Sequence, residues 1–367
     1  MRVSLVYSAH PGRTAGNVDP SSVGAHVTEL AQALTDSGHE VTVDALQHDP
    51  LERMGRTVRE LEKSWSNDRP DVVHAHLWSS GLAALAALRQ SAETRDVPVV
   101  QTFHTLDVGD DVTAKAHEWR RLEAAVAREV DRIAATSRQE LADLVAFGAR
   151  RGRIEVIPHG VDTETFTPEG KAMPREERPR FVSVGPMTPE SGFDLAMHAL
   201  PGIPNAELVI AGGRPAGQNG RWSLSDDKEA TRLATLAEQL GVADRLQLID
   251  RPPRHKLPEL LRSADIVICT PRHDTPGTTA IEAMACGRPV VATATGELLD
   301  IVIEGTTGIL VPPRSPRELT RALRGLLEDP IRLDGFGLAA ADRARVRHSW
   351  TRVGNEVARA YERSLAG

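Results

Sequence analysis

The segment TPRHDTPGTTAIEAMACGRPVV, residues 270–291, contains several side chains that could do chemistry. Its pattern predicts a buried strand, then a turn with Asp274 and Gly277, then a helix that begins near Thr278. The free N–H groups and the positive dipole end of such a helix attract anions. Asp274 and Glu282 lie eight residues apart, and their carboxylates could accept hydrogen bonds from the hydroxyls of a sugar or a ribose. Taken alone, Glu282 is better explained as a capping or salt-bridge residue.

Three histidines follow or occupy predicted strands. His104 comes directly after VPVVQTF, where a side chain could contact a sugar or phosphate oxygen, and a hydrogen-bonded structural role is an equal alternative. His74 and His76 share one face of the strand VVHAH and superficially suggest a metal pair. No third ligand stands at a suitable spacing, so structural packing is the favoured interpretation and we expect no metal site.

The stretch SVGPMTPESG, residues 183–192, reads as the end of a buried strand followed by a glycine-containing turn and a helix. Such a junction usually holds a phosphate. This one contains no Lys or Arg, and its only charged residue is Glu190.

Short apolar segments alternate with helical patterns throughout the chain. The strand candidates are RVSLVYS, HEVTVDAL, DVVHAH, VPVVQTFH, DRIAATS and RIEVIPHG in the first half, and RFVSVG, AELVIAGG, RLQLID, DIVICT, PVVAT and GILVP in the second. Continuous apolar strands separated by helices are typical of parallel sheets covered on both faces. The fold class is therefore α/β, with two doubly wound, Rossmann-like sheets that face a cleft.

The polar, proline-containing stretch of residues 165–179 separates the two halves. We expect one domain over residues 1–164 and a second over residues 165–345. Residues 330–365 read as helical, and a terminal helix over residues 346–367 is expected to cross back to the first domain. In open α/β sheets ligands bind beyond the carboxyl ends of the strands, so the residues after each strand are the candidates for a site.

The bulk composition excludes several classes of protein. A length of 367 residues is typical of two domains, and a net charge of -7 argues against a partner such as nucleic acid or an anionic membrane. Cys269 and Cys286 stand in apolar segments without metal or redox spacing, so both are expected to be buried thiols in a reducing compartment. The sequence shows no signal peptide and no apolar run near the ~20 residues of a membrane span, so a cytoplasmic protein is expected.

Several segments, in order along the chain, resemble one family. GHEVTV, VVHAHLWSSGLAA, VVQTFHTL, EVIPHGVD, IEAMACGRPVVAT, TTGILVPPRSPRELTRAL and SWTRVGNEVARAYERSL together resemble the family-4 retaining glycosyltransferases, or glycosyl transferases group 1, which have the GT-B fold. The resemblance implies that the first domain binds the acceptor and the second binds a nucleotide-diphosphate sugar. It also implies that no metal and no cofactor is needed.

The resemblance assigns roles to individual residues. It places His104 near the reacting sugar, Asp274 at the sugar hydroxyls and Glu282 at the ribose. The residues around Arg251 and Arg254 would then line the pocket of the nucleotide base. The acceptor side would comprise Ser21, Ser22 and Asp107.

The sequence departs from the family at the diphosphate. The stretch of residues 183–192 matches the family's VGR-x-x-x-x-KG turn, but Pro186 and Ser191 replace its Arg and Lys. Ser21 and Ser22 replace the family's Gly-Gly loop, where side chains obstruct a close backbone approach. Glu297 stands where a second small glycine is common.

Other residues could compensate for the lost cations. The expected diphosphate-binding set comprises Gly185, Ser191, Arg214, Arg272, His273, Gly277, Thr278 and Thr279. Ordinary surface cations are an equal alternative for the arginines and the histidine.

Two functions fit these departures. The favoured one is a retaining glycosyltransferase with an unusual donor site and a small polar acceptor, such as an aminosugar or a small thiol, in specialised metabolism such as antibiotic biosynthesis. The alternative is a catalytically impaired homologue that binds a sugar nucleotide or activates a partner transferase. The oligomeric state is left open.

Overall fold

The computed structural model describes residues 1–8, 20–46, 53–104, 106, 114–213, 227–273 and 276–366. The chain divides into two units. Unit 1 comprises Met1–Gly160 together with Trp350–Gly367, and unit 2 comprises Val161–Ser349. In the described part of the chain, no helix is long and apolar enough to cross a membrane.

Unit 1 contains a six-stranded parallel sheet of order β2-β1-β3-β4-β5-β6. The strands are β1 (Arg2–Ser8), β2 (Glu40–Leu46), β3 (Val72–His76), β4 (Val99–Thr102), β5 (Arg132–Ala135) and β6 (Ile154–Val156). The helices are α1 (Pro20–Asp36), α2 (Met54–Asn67), α3 (Trp78–Gln90), α4 (Ala114–Glu129), α5 (Arg138–Ala146) and α13 (Trp350–Leu365).

Alternation of side chains along the strands builds the core on both faces of this sheet. Val3 and Leu5 of β1 pack in the layer formed by α1 and α13, whereas Val6 packs in the layer formed by α2 to α5. The first layer is close-packed, because a Cβ on Gly354 of α13 would lie 3.0 Å from Cβ of Ala33 on α1. β1 therefore places apolar side chains on both faces of the sheet, as the sequence predicts.

Unit 2 contains a second six-stranded parallel sheet, of order β12-β11-β10-β7-β8-β9. The strands are β7 (Arg180–Val184), β8 (Glu207–Gly212), β9 (Leu246–Asp250), β10 (Ile266–Cys269), β11 (Val290–Thr293) and β12 (Gly308–Val311). The helices are α6 (Phe193–Ala199), α7 (Lys228–Gln239), α8 (Leu257–Ser263), α9 (Thr278–Ala285), α10 (Leu298–Ile301), α11 (Pro316–Leu327) and α12 (Pro330–His348). Helices α6, α7 and α11 cover one face, and α8, α9, α10 and α12 cover the other.

The expected fold class of two doubly wound parallel sheets is confirmed. Two local expectations need correction. The helical pattern of residues 330–365 is interrupted at Ser349, whose backbone is extended, so that α12 belongs to unit 2 and α13 to unit 1. Cys286 is buried as expected, but Cys269 at the end of β10 is only half-buried. Burial raises the pKa of each thiol to about 12.

Candidate functional site

The turn after β7 has the strand–turn–helix form that the sequence predicts. A short 3-10 turn at Pro189–Ser191 follows β7, and α6 begins directly after Gly192. Gly192 has a φ of +65°, and a Cβ there would lie 1.9 Å from the carbonyl oxygen of Thr270. Only glycine fits this position, because both the left-handed backbone and the close approach exclude a side chain.

Polar groups of the turn are already engaged with each other. The Ser191 hydroxyl donates a hydrogen bond of 2.6 Å to the carbonyl of Pro186. The backbone N–H of Arg272 donates to the carbonyl of Glu190 at 2.8 Å, and the Arg272 guanidinium forms an ion pair with Asp194. Arg272, expected to replace a lost phosphate-binding cation, is therefore paired with a carboxylate.

A cavity of about 180 Å³ lies beside this turn in unit 2. Its lining includes Gly192, Asp194, Thr270 and Arg272. Thr270, Thr293 and Pro313 of its lining lie at the carboxyl ends of β10, β11 and β12, which is where ligands of doubly wound sheets bind.

The N-terminus of α9 faces a carboxylate of the same unit. The N–H of Gly277 points to Oε2 of Glu297 at 3.4 Å, and Glu297 is buried. A Cβ on Gly277 would lie 2.1 Å from Cδ1 of Ile301, so a larger residue here would require the end of that side chain on α10 to shift. The Glu297 carboxyl thus lies at the positive end of the α9 dipole. Thr278 and Thr279 begin this helix, and the Thr279 hydroxyl lies 3.5 Å from the carbonyl of Val184 at the end of β7.

Glu282 lies inside α9 and is buried. Its Oε1 accepts a hydrogen bond of 2.6 Å from Nη1 of Arg254, whose guanidinium also lies 5.1 Å from the ring centroid of Phe166. Burial raises the pKa of the Glu282 carboxyl, and the positive charges of Arg254 and Arg251 partly offset that increase. The salt-bridge alternative for Glu282 is therefore present in the structure, with half-exposed Arg254 as the partner.

Four histidines of unit 1 lie together. His104, which follows β4, is buried and has a φ of +66°, a strained conformation for a residue with a side chain. Its Nε2 lies 3.0 Å from Nδ1 of His76, and its Nδ1 lies 3.3 Å from Nε2 of His159. The His26 ring from α1 packs edge-on against His104, with centroids 4.9 Å apart.

Burial lowers the pKa of His26, His76 and His104 well below the ordinary value, and neighbouring histidines lower each further. All three imidazoles are therefore neutral near pH 7. A neutral ring offers one donor and one acceptor nitrogen, and the acceptor nitrogen can also bind a metal ion.

His74 lies beside His76, with ring centroids 4.3 Å apart, and its partners are hydroxyl groups instead of histidines. Its Nδ1 lies 2.8 Å from the hydroxyl of Tyr361 and its Nε2 lies 2.9 Å from Oγ1 of Thr102. Burial lowers its pKa to about 3. Both ring nitrogens have partners, which agrees with the structural role expected for His74.

Sequence reasoning did not identify His26 and His159 as site residues. His159 follows β6 just as His104 follows β4, so the rule that sites lie beyond strand ends could have found it. His26 has no comparable signal, because its position depends on how α1 packs on the sheet.

Several expected site residues lie outside the part of the chain that the structure describes. Asp274, Arg214 and Asp107 lie outside the described residues. Ser21 and Ser22 belong to α1, but their side chains are likewise outside the described part. His273 is exposed at the end of the turn after β10.

Two family models match the chain, and each match lies mostly within one unit. The family model described as "Glycosyl transferases group 1" matches residues 168–343, and "Glycosyltransferase Family 4" matches residues 46–165. D-inositol 3-phosphate glycosyltransferase 2 of Catenulispora acidiphila is 33% identical over 319 residues, covering 80% of this chain and 71% of the relative. A D-inositol 3-phosphate glycosyltransferase of Pseudarthrobacter chlorophenolicus is 29% identical, covering 96% and 93%.

Two solved structures show the same fold at low identity. Sucrose-phosphate synthase from Thermosynechococcus elongatus superposes with a TM-score of 0.84 at 22% identity, covering 100% of this chain and 99% of that one. Anabaena HepE in complex with UDP gives a TM-score of 0.75 at 16% identity, covering 99% and 100%. The chain belongs to the group 1, family 4 glycosyltransferases and has the GT-B fold.

Proposed function

We propose that this glycosyltransferase moves a sugar from a nucleoside diphosphate to a small polar acceptor, with retention of configuration at the anomeric carbon and without a metal cofactor. The observation that carries the proposal is the Glu282 carboxylate, buried inside α9 at the carboxyl end of the unit 2 sheet and held by Arg254. A buried carboxylate there can accept two ribose hydroxyls in a fixed orientation.

A uridine nucleotide is the first donor to test. HepE of Anabaena was crystallised with UDP and with UDP-glucose, and it shares the fold of this chain. In this proposal Glu282 binds the ribose and Asp274 the sugar hydroxyls. The residues around Arg251 and Arg254 lie beside the base. The N-terminus of α9, with Gly277, Thr278 and Thr279, faces the diphosphate together with Gly185 and Ser191, and Arg214, Arg272 and His273 are the cations available nearby.

The acceptor is proposed from the names of relatives and from the small polar class that the sequence favours. Relatives named as D-inositol 3-phosphate glycosyltransferases suggest a phosphorylated cyclitol, and aminosugars and small thiols are the further candidates. Ser21, Ser22 and Asp107 are the proposed acceptor-side residues in unit 1.

The proposed step is a front-face displacement. The bond between the anomeric carbon and the β-phosphate oxygen breaks, and its electron pair remains on the phosphate. The acceptor forms the new bond on the same face of the sugar, and its proton passes to the departing phosphate oxygen. The protein supplies positioning and electrostatic stabilisation of an oxocarbenium-like state, and the neutral His104 ring steadies a sugar hydroxyl.

A catalytically impaired homologue is the second candidate, and one contact favours it. Glu297 places a carboxylate at the helix N-terminus that would otherwise face the diphosphate. Arg272 is paired with Asp194, and no arginine or lysine stands at Pro186 or Ser191. A protein of this kind would bind a sugar nucleotide weakly and could act through a partner transferase.

Calorimetry with UDP-, GDP-, ADP- and dTDP-sugars tests the donor, and mass spectrometry of products with pooled acceptors tests transfer. Glu282→Gln is expected to weaken donor binding roughly tenfold or more, because a hydrogen bond to a charged group contributes about 1.5–3 kcal/mol. Glu259→Gln on α8, whose partner is the exposed Lys256, is the matched control.

Three results separate the two candidates. Donor binding with turnover supports the transferase, and donor binding without turnover supports the impaired homologue. The absence of heat and of a thermal shift with every sugar nucleotide would contradict the transferase and leave only a homologue that acts through a partner. Undiminished binding by Glu282→Gln would overturn the assignment of Glu282.

A further inference from the structure

Three histidines from separate elements of unit 1 form a compact group, called here the imidazole triad: His26 of α1, His76 at the end of β3 and His104 after β4. One nitrogen from each ring lies within 4.8 Å of the other two. His76 and His104 are fully buried and His26 is half-buried, so the triad has one side nearer to solvent.

Two nitrogens of the triad have no hydrogen-bond partner. Within the part of the chain that the structure describes, Nδ1 of His26 and Nε2 of His76 are buried and unpaired. Buried polar groups are nearly always satisfied, so the unpaired Nδ1 of His26 needs an explanation. Coordination of His76 through Nδ1, the atom that lies 3.0 Å from His104, leaves its Nε2 unpaired. His74 on the same strand is the internal contrast, because both of its nitrogens are hydrogen-bonded to hydroxyls.

The rings are in the form that binds metal. Burial keeps His26, His76 and His104 neutral near pH 7, so no proton must leave before the acceptor nitrogen coordinates an ion. The distance of 3.0 Å between Nδ1 of His76 and Nε2 of His104 is close to the roughly 3.4 Å that separates two nitrogens on a tetrahedral zinc ion with bonds of about 2.1 Å.

His159 lies where it can fix the orientation of the His104 ring. Nδ1 of His104 lies 3.3 Å from Nε2 of His159. A metal-bound histidine commonly forms a hydrogen bond through its second nitrogen, which fixes the ring and its tautomer. His159 can perform this role when His104 coordinates through Nε2.

We propose that the imidazole triad binds one divalent transition-metal ion, such as Zn²⁺, through a nitrogen of each ring, with the fourth coordination position open. The site shares His104 with the proposed transfer, but the metal proposal does not rest on that function, because its test measures metal binding alone. When the ion is bound, the hydrogen bond between His76 and His104 is replaced by two bonds to the metal, and His104 is no longer available to a sugar hydroxyl.

The test uses the full chain after treatment with a chelator. Calorimetry with Zn²⁺ measures affinity, and the visible absorption of Co²⁺ reports the geometry of coordination. His26→Gln and His76→Gln each remove a ligand, and His39→Gln removes a half-buried histidine of unit 1 outside the triad. Thermal unfolding of each variant without metal checks that it is folded.

The wild type and His39→Gln are expected to bind one ion with the absorption of tetrahedral Co²⁺, and Zn²⁺ should raise their Tm. His26→Gln should lose at least about tenfold in affinity and most of the Co²⁺ absorption. Because His26 is half-buried, this variant tests the proposal even if His76→Gln does not fold. Equal affinity in His26→Gln and His39→Gln, or no binding by the folded wild type, would overturn the site.

Discussion

Glu297 places its carboxylate 3.4 Å from the N–H of Gly277, at the first turn of α9. A helix N-terminus attracts anions, and this one faces an acidic side chain of its own unit. An ionised Glu297 would repel a diphosphate bound in the same place, so a donor bound there would require Glu297 to move or to be protonated.

Glu297→Gln is therefore expected to strengthen UDP binding by about tenfold, which corresponds to ~1.4 kcal/mol. The amide keeps the size and the hydrogen-bond acceptor of the side chain but removes its charge. Calorimetry with UDP measures the change. Glu328→Gln, at the exposed end of α11, is the control and should leave affinity unchanged. An unaltered affinity in Glu297→Gln would show that the diphosphate does not approach α9.

The turn after β7 gives a second prediction. Pro186→Arg and Ser191→Lys together restore the two cations of the family motif at an exposed and a half-buried position. In the double variant, which keeps Glu297, these two substitutions are expected to give little gain in UDP affinity, because the Glu297 side chain still opposes the phosphate. Combined with Glu297→Gln they should give more than the sum of the separate effects, since the three residues act on one ligand.

Calorimetry of the double and triple variants checks this coupling. A double variant that binds UDP as tightly as the triple variant would contradict the role given to Glu297. It would also indicate that the turn keeps the geometry of the family's diphosphate site.

Arg254→Met leaves the Glu282 carboxyl buried without its cation. Loss of the pair should cost about 1–2 kcal/mol, less than for a fully buried pair because Arg254 is about half-exposed. The pKa of Glu282 is raised in the folded state and should rise further in this variant. The folded state then binds more protons than the unfolded state, so stability falls as pH rises from the unfolded pKa through the folded pKa.

Chemical denaturation of Arg254→Met at acidic and at neutral pH tests the direction of this pH dependence of stability. The loss relative to wild type should be larger at neutral pH, and adding Glu282→Gln should remove most of the pH dependence. Lys256→Met, which breaks the exposed pair with Glu259, is the control. A larger loss at acidic pH would contradict the assignment.

Gly192→Ala tests the backbone of the turn. It adds a Cβ at a φ of +65° and 1.9 Å from the Thr270 carbonyl oxygen, so the expected loss of stability is at least about 3 kcal/mol. Gly241→Ala is a matched control, with a φ of +66° and open space around the position. It should cost only the left-handed penalty of about 1–2 kcal/mol. Equal denaturation midpoints for the two variants would show that the contact with Thr270 is relaxed at no cost.

The sequence was sufficient for the architecture, because apolar strands separated by helices have few alternatives to two doubly wound sheets. It also predicted the start of α9 near Thr278, which stands in one continuous segment with its strand, and the role of Glu282 stays a prediction. It did not reveal the pairs of Glu297 with Gly277 or Arg272 with Asp194, whose members are 20 and 78 residues apart and meet only through tertiary packing.

The histidines illustrate the same limit. The spacing of His74 and His76 suggested a pair on one strand face, and the absence of a nearby third ligand argued against a metal. The third and further rings come from α1, from the end of β4 and from the end of β6, which converge only after the sheet has formed. The roles of Asp274, Arg214 and Asp107 stay predictions.

The break at Ser349 has a consequence for synthesis of the chain. Unit 2 is continuous and can complete its core as soon as α12 has left the ribosome, whereas one layer of unit 1 lacks α13 until after that point. Tyr361, the partner of His74, and the close packing of Gly354 on Ala33 both belong to that late helix. A helix translated after unit 2 therefore completes unit 1, and unit 1 should be the later of the two to reach its native packing.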